Sequence, residues 1–381
     1  MKSTRILFTG GGTGGHVYPL LAVAEEIEKI AIDQQLFLKL YYAGGRDQFS
    51  KIAADNGLRI VSIASSKIRR YGSFRNFIDI PKFFFSILQA LVKLYVIMPD
   101  VVFSKGGPGA LPVVFAAWWY RIPVIIHESD SVPGISNLFS ARFATRVALS
   151  FEQAASYFSP EKTLITGNPI RFQLLANIPA ADVARAALHL DAATPTILIL
   201  GGSIGSVRIN QFIIDNLPAL LPHAQIIHQT GVANIDDCKN QSAQVLKTVS
   251  DVLQKEHPYV LVDYFRTEEE LQNAYAAADV IVSRSGASSI FEIAAFGKPA
   301  ILIPLFESAN DHQRMNAYSF SEKTGAIVIE EENLLPGIFI KELTQLLADG
   351  PRRTAISQAS WKFFIPSASV TIAQELLRLA R

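Results

Sequence analysis

The 381-residue chain is poor in cysteine, in charge and in long apolar runs, and each shortage excludes something. Its single cysteine, Cys238, cannot form an internal disulfide and has no metal-ligand spacing around it, so the expectation is a reducing compartment and no bound metal. Only 18% of residues are charged, and 35 Lys and Arg against 34 Asp and Glu leave a net charge of +1. No global field therefore draws the chain to nucleic acid, and no such partner is expected. No run reaches the roughly 18 consecutive apolar residues that mark a membrane span. The most apolar stretch, PKFFFSILQALVKLYVIMP at 81–99, is interrupted by Lys82, Gln89 and Lys93. The first residues, MKSTR, lead into an apolar run without the pattern of a secretory signal, so the chain is expected to stay inside the cell.

What is present is ample apolar material, 49% of residues, in a length that suits two or more domains. Short β-rich runs alternate with helical patterns: RILFT, LFLKLYYA, RIVSI, DVVFS, PVIIH and RVALS, then TILILG, AQIIHQ, VLVDY, DVIVS, PAILIPL and AIVI. Runs that are apolar throughout imply parallel strands covered on both faces by helices. Gly167-Asn168-Pro169 interrupts the pattern, and a second cycle opens with PTILILGGSIGSVRIN. The expected division is 1–167 and 168–359, with a closing helix over about 360–381 returning to the first domain. Each half begins with a strand running into a glycine-rich turn and a helix, at Gly10 and again at Gly201. Open α/β sheets bind ligands at the carboxyl ends of their strands, so these turns are the places to look.

The first turn reads RILFTGGGTGGHVYP, residues 5–19. Its free amides and helix end suit an anion. Gly10, Gly12 and Gly15 match G-x-G-x-x-G, but a dinucleotide site also expects an acidic residue about 20 residues on, at the end of the second strand. That strand ends in YYAGGRDQ, where Arg46 would suit the extra phosphate of NADP, so an NADP oxidoreductase stays open. No Lys-Ser or Lys-Thr follows, which excludes the ATP-binding P-loop. Equally, the glycines serve only close packing of helix on strand. His16, at the helix start, is either a proton acceptor near neutral pH or a hydrogen-bonded cap.

The second half repeats the theme in ADVIVSRSGASSIFEIAAFGKPAILIPL, 278–305. Ser289-Ile290-Phe291-Glu292 fits a capping box, in which Glu292 caps its own helix. The other reading puts turn amides on a diphosphate and Glu292 on a ribose diol. NDHQRMNA (310–317) adds clustered amides and His312, while SKGGPGALP (104–112) and IHESDSVPG (126–134) present Lys105, His127, Glu128 and Asp130. Between these lies an aromatic segment, 65–94, combining Lys67, Arg69, Arg70, Arg75 and Lys82 with Phe74, Phe77, Phe83, Phe84 and Phe85, and WWYR follows at 118–121. Apolar residues all round a helix read as burial. Basic residues beside surplus aromatics also read as a surface that rests in anionic lipid headgroups.

Taken in order, GGGTGGHVYP, SKGGPGALP, IHESDSVPG, TGNPIR, LGGSIGS, SRSGASSIFEIAAFGKP and DHQRMNA resemble the MurG family over nearly the whole chain. These transferases add N-acetylglucosamine (GlcNAc) to undecaprenyl-pyrophosphoryl-MurNAc-pentapeptide, lipid I, making lipid II for peptidoglycan. The resemblance implies an α/β fold of GT-B architecture: two Rossmann-like domains with parallel sheets facing across a cleft, the acceptor on the first and UDP-GlcNAc mainly on the second. It implies an inverting hexosyl transfer that needs no cofactor and no metal. Thr13, Gly14 and Gly15 would lie by the donor sugar and diphosphate, with His16 the first choice for the proton acceptor and Glu128 the second. Arg171 and Ser203 would meet the diphosphate, Phe265 the uracil, and Gln313 the sugar hydroxyls. Ala287, Ser288 and Ser289 would form the start of the donor helix, with Glu292 on the ribose. The implied partners are UDP-GlcNAc, lipid I and an anionic membrane surface, at the cytoplasmic face of the bacterial inner membrane, where the protein would sit peripherally. One departure stands out: the family spelling His-Glu-Gln-Asn is here His127-Glu128-Ser129-Asp130, and no sugar-binding role is carried to Asp130. Two further rivals are a UDP-GlcNAc epimerase, which keeps the fold, and a non-catalytic protein docked on the membrane.

Overall fold

A computed structural model describes residues 3–11, 14–64, 76–202 and 205–380, without side chains at 76–80 and 309. Of the residues singled out above, Gly12, Thr13, Lys67, Arg69, Arg70, Phe74, Arg75 and Ser203 lie outside this set, as does the side chain of Phe77. The chain forms two units, 1–171 with 365–381, and 172–364.

In the first unit seven strands run parallel: β1 (Thr4–Thr9), β2 (Leu38–Gly44), β3 (Arg59–Ser62), β4 (Val101–Ser104), β5 (Val124–Glu128), β6 (Arg146–Leu149) and β7 (Thr163–Ile165). Their order is 3-2-1-4-5-6-7. Successive side chains on a strand point to opposite faces, and because helices cover both faces the middles of these strands are mostly apolar on both sides. Ile6 and Phe8 pack with Val101 and Phe103 under the helices Gly14–Asp33 and Ala368–Leu379. Leu7 and Val102 face the other way, under the helices Asn76–Ile97 and Leu111–Trp119. The last helix of the chain therefore belongs to the first unit's core: Ile372, Ala373 and Leu376 are buried there, and Arg146 pairs with Glu375 at 3.2 Å.

The second unit repeats the plan with β8 (Thr196–Leu200), β9 (Gln225–Gln229), β10 (Tyr259–Val262), β11 (Val280–Ser283), β12 (Ala300–Leu302) and β13 (Ile327–Val328), in the order 10-9-8-11-12-13. Every pairing is parallel. Both units are thus Rossmann-like, and each has one switch point where strand order reverses: between β1 and β4, and between β8 and β11. The sequence pattern anticipates twelve of these strands. It misses β7, three residues at the sheet edge beside the Gly-Asn-Pro break.

Candidate functional site

At the first switch point the turn after β1 meets the residues that follow β4. Lys105 donates its backbone N–H to the Thr9 carbonyl at 2.9 Å, and the Tyr42 hydroxyl donates to the Gly10 carbonyl. A Cβ at Gly10 would come within 2.9 Å of the Lys105 Cβ, so glycine is required for this close approach. Gly14, Gly15 and His16 form the first turn of the helix Gly14–Asp33. Arg171, at the end of the first unit, lays its guanidinium over the Tyr18 ring of the same helix, 4.1 Å from the centroid.

The carboxyl end of β5 adds a buried charged group. Glu128 is 3% exposed, and both its oxygens are engaged within the following turn. Asp130 N–H donates to Oε1 at 3.0 Å, and Gly134 N–H and Asn137 Nδ2 donate to Oε2 at 3.1 and 2.9 Å. Burial and the neighbouring Asp130 charge raise its proton affinity, against the pull of those three hydrogen bonds. His16 is half-buried. Burial and then the Lys105 charge lower its pKa to about 4, opposed by Asp130 and by a hydrogen bond to the Gly11 backbone, so its imidazole is neutral at physiological pH. The structure thus brings His16, Lys105, His127, Glu128 and Asp130 together at the ends of β1, β4 and β5.

At the second switch point the turn after β8 is held by a close approach of its own: Gly205 has φ +81°, and a Cβ there would fall 2.0 Å from the Thr230 carbonyl oxygen. The turn after β11 leads into the helix Ala287–Ala295, whose N-cap is Gly286 with no side-chain cap. Its first amides, from Ala287 through Ser289, are the donors that a helix leaves without intrahelical partners. The capping-box reading of Ser289 and Glu292 is not realised. Ser289 is already the third helical residue, and the Glu292 carboxylate instead accepts from the Tyr275 hydroxyl at 2.8 Å. Phe265 is buried in the loop after β10.

Gln313 opens the helix His312–Thr324; its carboxamide oxygen accepts from Leu305 N–H at 3.1 Å, and its backbone carbonyl accepts from Ser285 Oγ at 2.7 Å. Just before it, Asn310 and Asp311 are both left-handed, at φ 54° and 56°, a conformation that costs non-glycine residues and that clusters at ligand-binding turns. Beneath these turns Arg284 spans several elements. It donates to Ser206 Oγ at 2.8 Å and to the Ile303 carbonyl at 3.1 Å, and it pairs with Glu331, whose other oxygen meets Arg208 at 2.8 Å.

Sequence reasoning did not reach Tyr275 or Glu331, because their partners lie 17 and 47 residues away along the chain. Arg284 stands in the segment 278–305, but nothing in that segment announces a buried ion pair. Among the described residues, no group of three or more His, Cys, Asp or Glu side chains is arranged to hold a metal ion.

The aromatic helix Asn76–Ile97 divides sharply. Ser86, Ala90 and Leu94, at spacings of four, are fully buried against the first unit. Phe84 is 65% exposed, and Phe85, Leu88, Val92, Tyr95 and Val96 are exposed beside it, with Trp118 and Trp119 on the helix Leu111–Trp119. Phe83 is half-buried and Lys82 exposed. Burial thus accounts for one stripe only. No helix among the described residues is long and apolar enough to cross a membrane.

Comparison with known proteins places both units. The model of the glycosyltransferase family 28 N-terminal domain matches residues 6–149, and that of the family 28 C-terminal domain matches residues 196–372. A protein of Treponema denticola named "UDP-N-acetylglucosamine--N-acetylmuramyl-(pentapeptide) pyrophosphoryl-undecaprenol N-acetylglucosamine transferase" is 33% identical over 354 residues, 90% of this chain and 88% of that one. A Bacillus cereus protein of the same name, numbered 2, is 34% identical over 374 residues, 97% and 99% of the two chains. The crystal structure of Acinetobacter baumannii MurG has the same fold, with a TM-score of 0.74 at 23% identity, covering 98% of this chain and 99% of that one.

Proposed function

Because the chain belongs to the MurG family of glycosyltransferases, we propose that it moves GlcNAc from UDP-GlcNAc to the 4-hydroxyl of the MurNAc sugar of lipid I, releasing UDP and forming lipid II. The observation that carries this reading is the full-length match to transferases of that name, over both units. It separates this chain from the epimerase and oxidoreductase readings, which the fold alone leaves standing.

The second unit takes the donor. Glu292 accepts hydrogen bonds from the ribose diol, its carboxylate oriented by Tyr275. The diphosphate lies on the amides that open the helix Ala287–Ala295, where backbone donors and the helix dipole favour negative charge. Ser203 assists there, Phe265 packs on the uracil, and the Gln313 NH2 donates to a sugar hydroxyl; Arg171, a residue of the first unit, is the further group that the resemblance assigns to the diphosphate. As the glycosidic bond to uridine diphosphate breaks, charge grows on the departing oxygens, and donors fixed in advance stabilise it.

The first unit takes the acceptor, with His16 beside it, while Thr13, Gly14 and Gly15 keep the place the resemblance gives them, by the donor sugar and diphosphate. The acceptor oxygen forms a bond to the anomeric carbon while UDP leaves from the opposite face, with inversion, and His16 receives the hydroxyl proton. The Asp130 charge favours the resulting imidazolium. Glu128 ranks behind His16 as base, because both its oxygens already accept hydrogen bonds within its own turn. Its work is to shape that turn.

The exposed stripe of Phe84, Phe85 and their neighbours, with Lys82 and the basic residues Arg69 and Arg70, rests on the anionic surface of the cytoplasmic face of the bacterial inner membrane, where the lipid-linked acceptor is held. Nucleic acid has no part in this reading. The test is to incubate the protein with UDP-GlcNAc and a lipid I analogue. The expected products are UDP and a lipid-linked disaccharide in equal amounts; an altered free nucleotide sugar without disaccharide would instead mark an epimerase.

A further inference from the structure

Lys105 plays no part in the chemistry so far, yet its ammonium is enclosed in the first unit, 2% exposed, directly behind the glycine turn that leads to His16. Burying an ammonium is costly, and an apolar side chain would fill the same volume without that cost. The charge therefore has a use.

Its geometry shows what the charge does. Lys105 Nζ lies 2.7 Å from His127 Nδ1, and His127 Nε2 lies 3.1 Å from the Gly167 carbonyl oxygen, with Ser150 Oγ 3.3 Å away. Burial lowers Lys105 to about 8 against the pull of Glu128 and Asp130, so at neutral pH and below it is an ammonium, which only donates, and Nδ1 accepts. A carbonyl only accepts, so Nε2 carries the proton. One neutral tautomer satisfies both contacts, and the imidazolium would set a second N–H against the ammonium. In agreement, burial and then the Lys105 charge hold His127 well below its ordinary range. The charged and titratable groups that face Lys105 are His127 and Glu128 from β5, Asp130 from the following turn and His16 from the helix Gly14–Asp33. Asp130 and Lys105 act on His16 in opposite senses.

We propose that Lys105 is a positioning residue of the transfer: a buried ammonium that locks His127 in its Nε2–H tautomer, tying β5 to the Gly167 carbonyl, and sets a fixed positive charge behind the turn that leads to His16. The bearing of that charge on the transfer rests on His16 being the proton acceptor. Asp130 supplies the counterweight, so that His16 is neutral before the reaction and its imidazolium is tolerated during it.

The test uses the full chain labelled with 15N at histidine, titrated between pH 4 and 7, below the point at which Lys105 gives up its proton, beside the pH dependence of kcat/KM. In the unaltered protein His127 should show the Nε2–H tautomer throughout. In Lys105→Met the His16 titration should move to higher pH by roughly one unit, the usual scale for loss of one nearby charge. The acid limb of kcat/KM should move the same way, and KM for UDP-GlcNAc should stay within about twofold, since no donor contact is proposed for this residue. Lys105→Gln is the second variant should Lys105→Met fail to fold. An Nδ1–H tautomer or a titrating His127 in the unaltered protein overturns the proposal, whatever the variants do. So does an unmoved His16 titration in either folded variant. A moved His16 titration beside an unmoved rate profile supports the Lys105 field and removes His16 from the role of base.

Discussion

The two units share one topology and put glycine turns at matching switch points, but the charged groups named beside those turns are held differently. In the second unit the buried guanidinium of Arg284 is paired with Glu331 and hydrogen-bonded to Ser206 and Ile303, and the Glu292 carboxylate is held by Tyr275. In the first unit His16, Lys105, His127 and Glu128 are all displaced from their ordinary proton affinities, chiefly by burial. A binding site gains from fixed, satisfied charges that need no reorganisation. A proton-transfer site needs groups whose charge can change. The contrast accords with the proposed division, in which one unit recognises the donor and the other carries the proton chemistry.

The largest expected effect tests the fixed side of the contrast. Arg284→Ala leaves Glu331 buried without its main partner and should cost about 3–5 kcal/mol of stability, measured by denaturant unfolding. The exposed Arg208, still on the other oxygen, keeps the loss toward the lower end. The sign of the pH dependence follows. Burial alone would raise the Glu331 carboxyl, but Arg284 and then Arg208 bring it below its ordinary value. Its stabilisation is therefore complete above the unfolded carboxyl range and fades as pH falls through the lowered native value. Glu331→Gln should flatten that acid slope.

Next, His16→Ala should lower kcat by about 100-fold, while calorimetry with UDP detects little change. An unchanged rate would move the proton chemistry elsewhere. Glu292→Ala should weaken UDP binding by at least about tenfold, the scale of hydrogen bonds to a charged group, with the melting temperature retained. Exchanging both Phe84 and Phe85 for Ser should weaken binding to anionic vesicles by about tenfold or more while leaving unfolding unaltered, because both rings are already exposed. Loss of fold instead would return this helix to the core. The smallest effect is expected of Tyr275→Phe, a few-fold weakening of UDP binding from one lost hydrogen bond to the carboxylate.

Much of this was legible in the chain. Apolar runs such as TILILG and DVIVS give parallel strands because both their faces are covered, and the glycine turns at Gly10 and Gly201 mark the switch points. The residues at which the chain crosses between units were harder to read. Arg171 stays with the first unit through its stack on Tyr18. Phe363 stays with the second through ring contacts to Phe291 and Phe320, so the return comes only at Ile365. Such contacts join residues far apart in sequence and leave no local pattern. The same holds for Arg284 with Glu331 and for Tyr275 with Glu292. The capping-box spacing at Ser289 failed for a local reason: the helix starts at Ala287, which puts Ser289 inside its first turn.

The division of labour is tested most directly by single-turnover rates of His16→Ala and Glu292→Ala, measured as the UDP-GlcNAc concentration is raised to saturation. The account predicts that Glu292→Ala recovers to within about threefold of the unaltered protein once saturated, whereas His16→Ala stays slow at every concentration. A His16→Ala enzyme restored by more donor, or a saturated Glu292→Ala enzyme that remains slow, would contradict it.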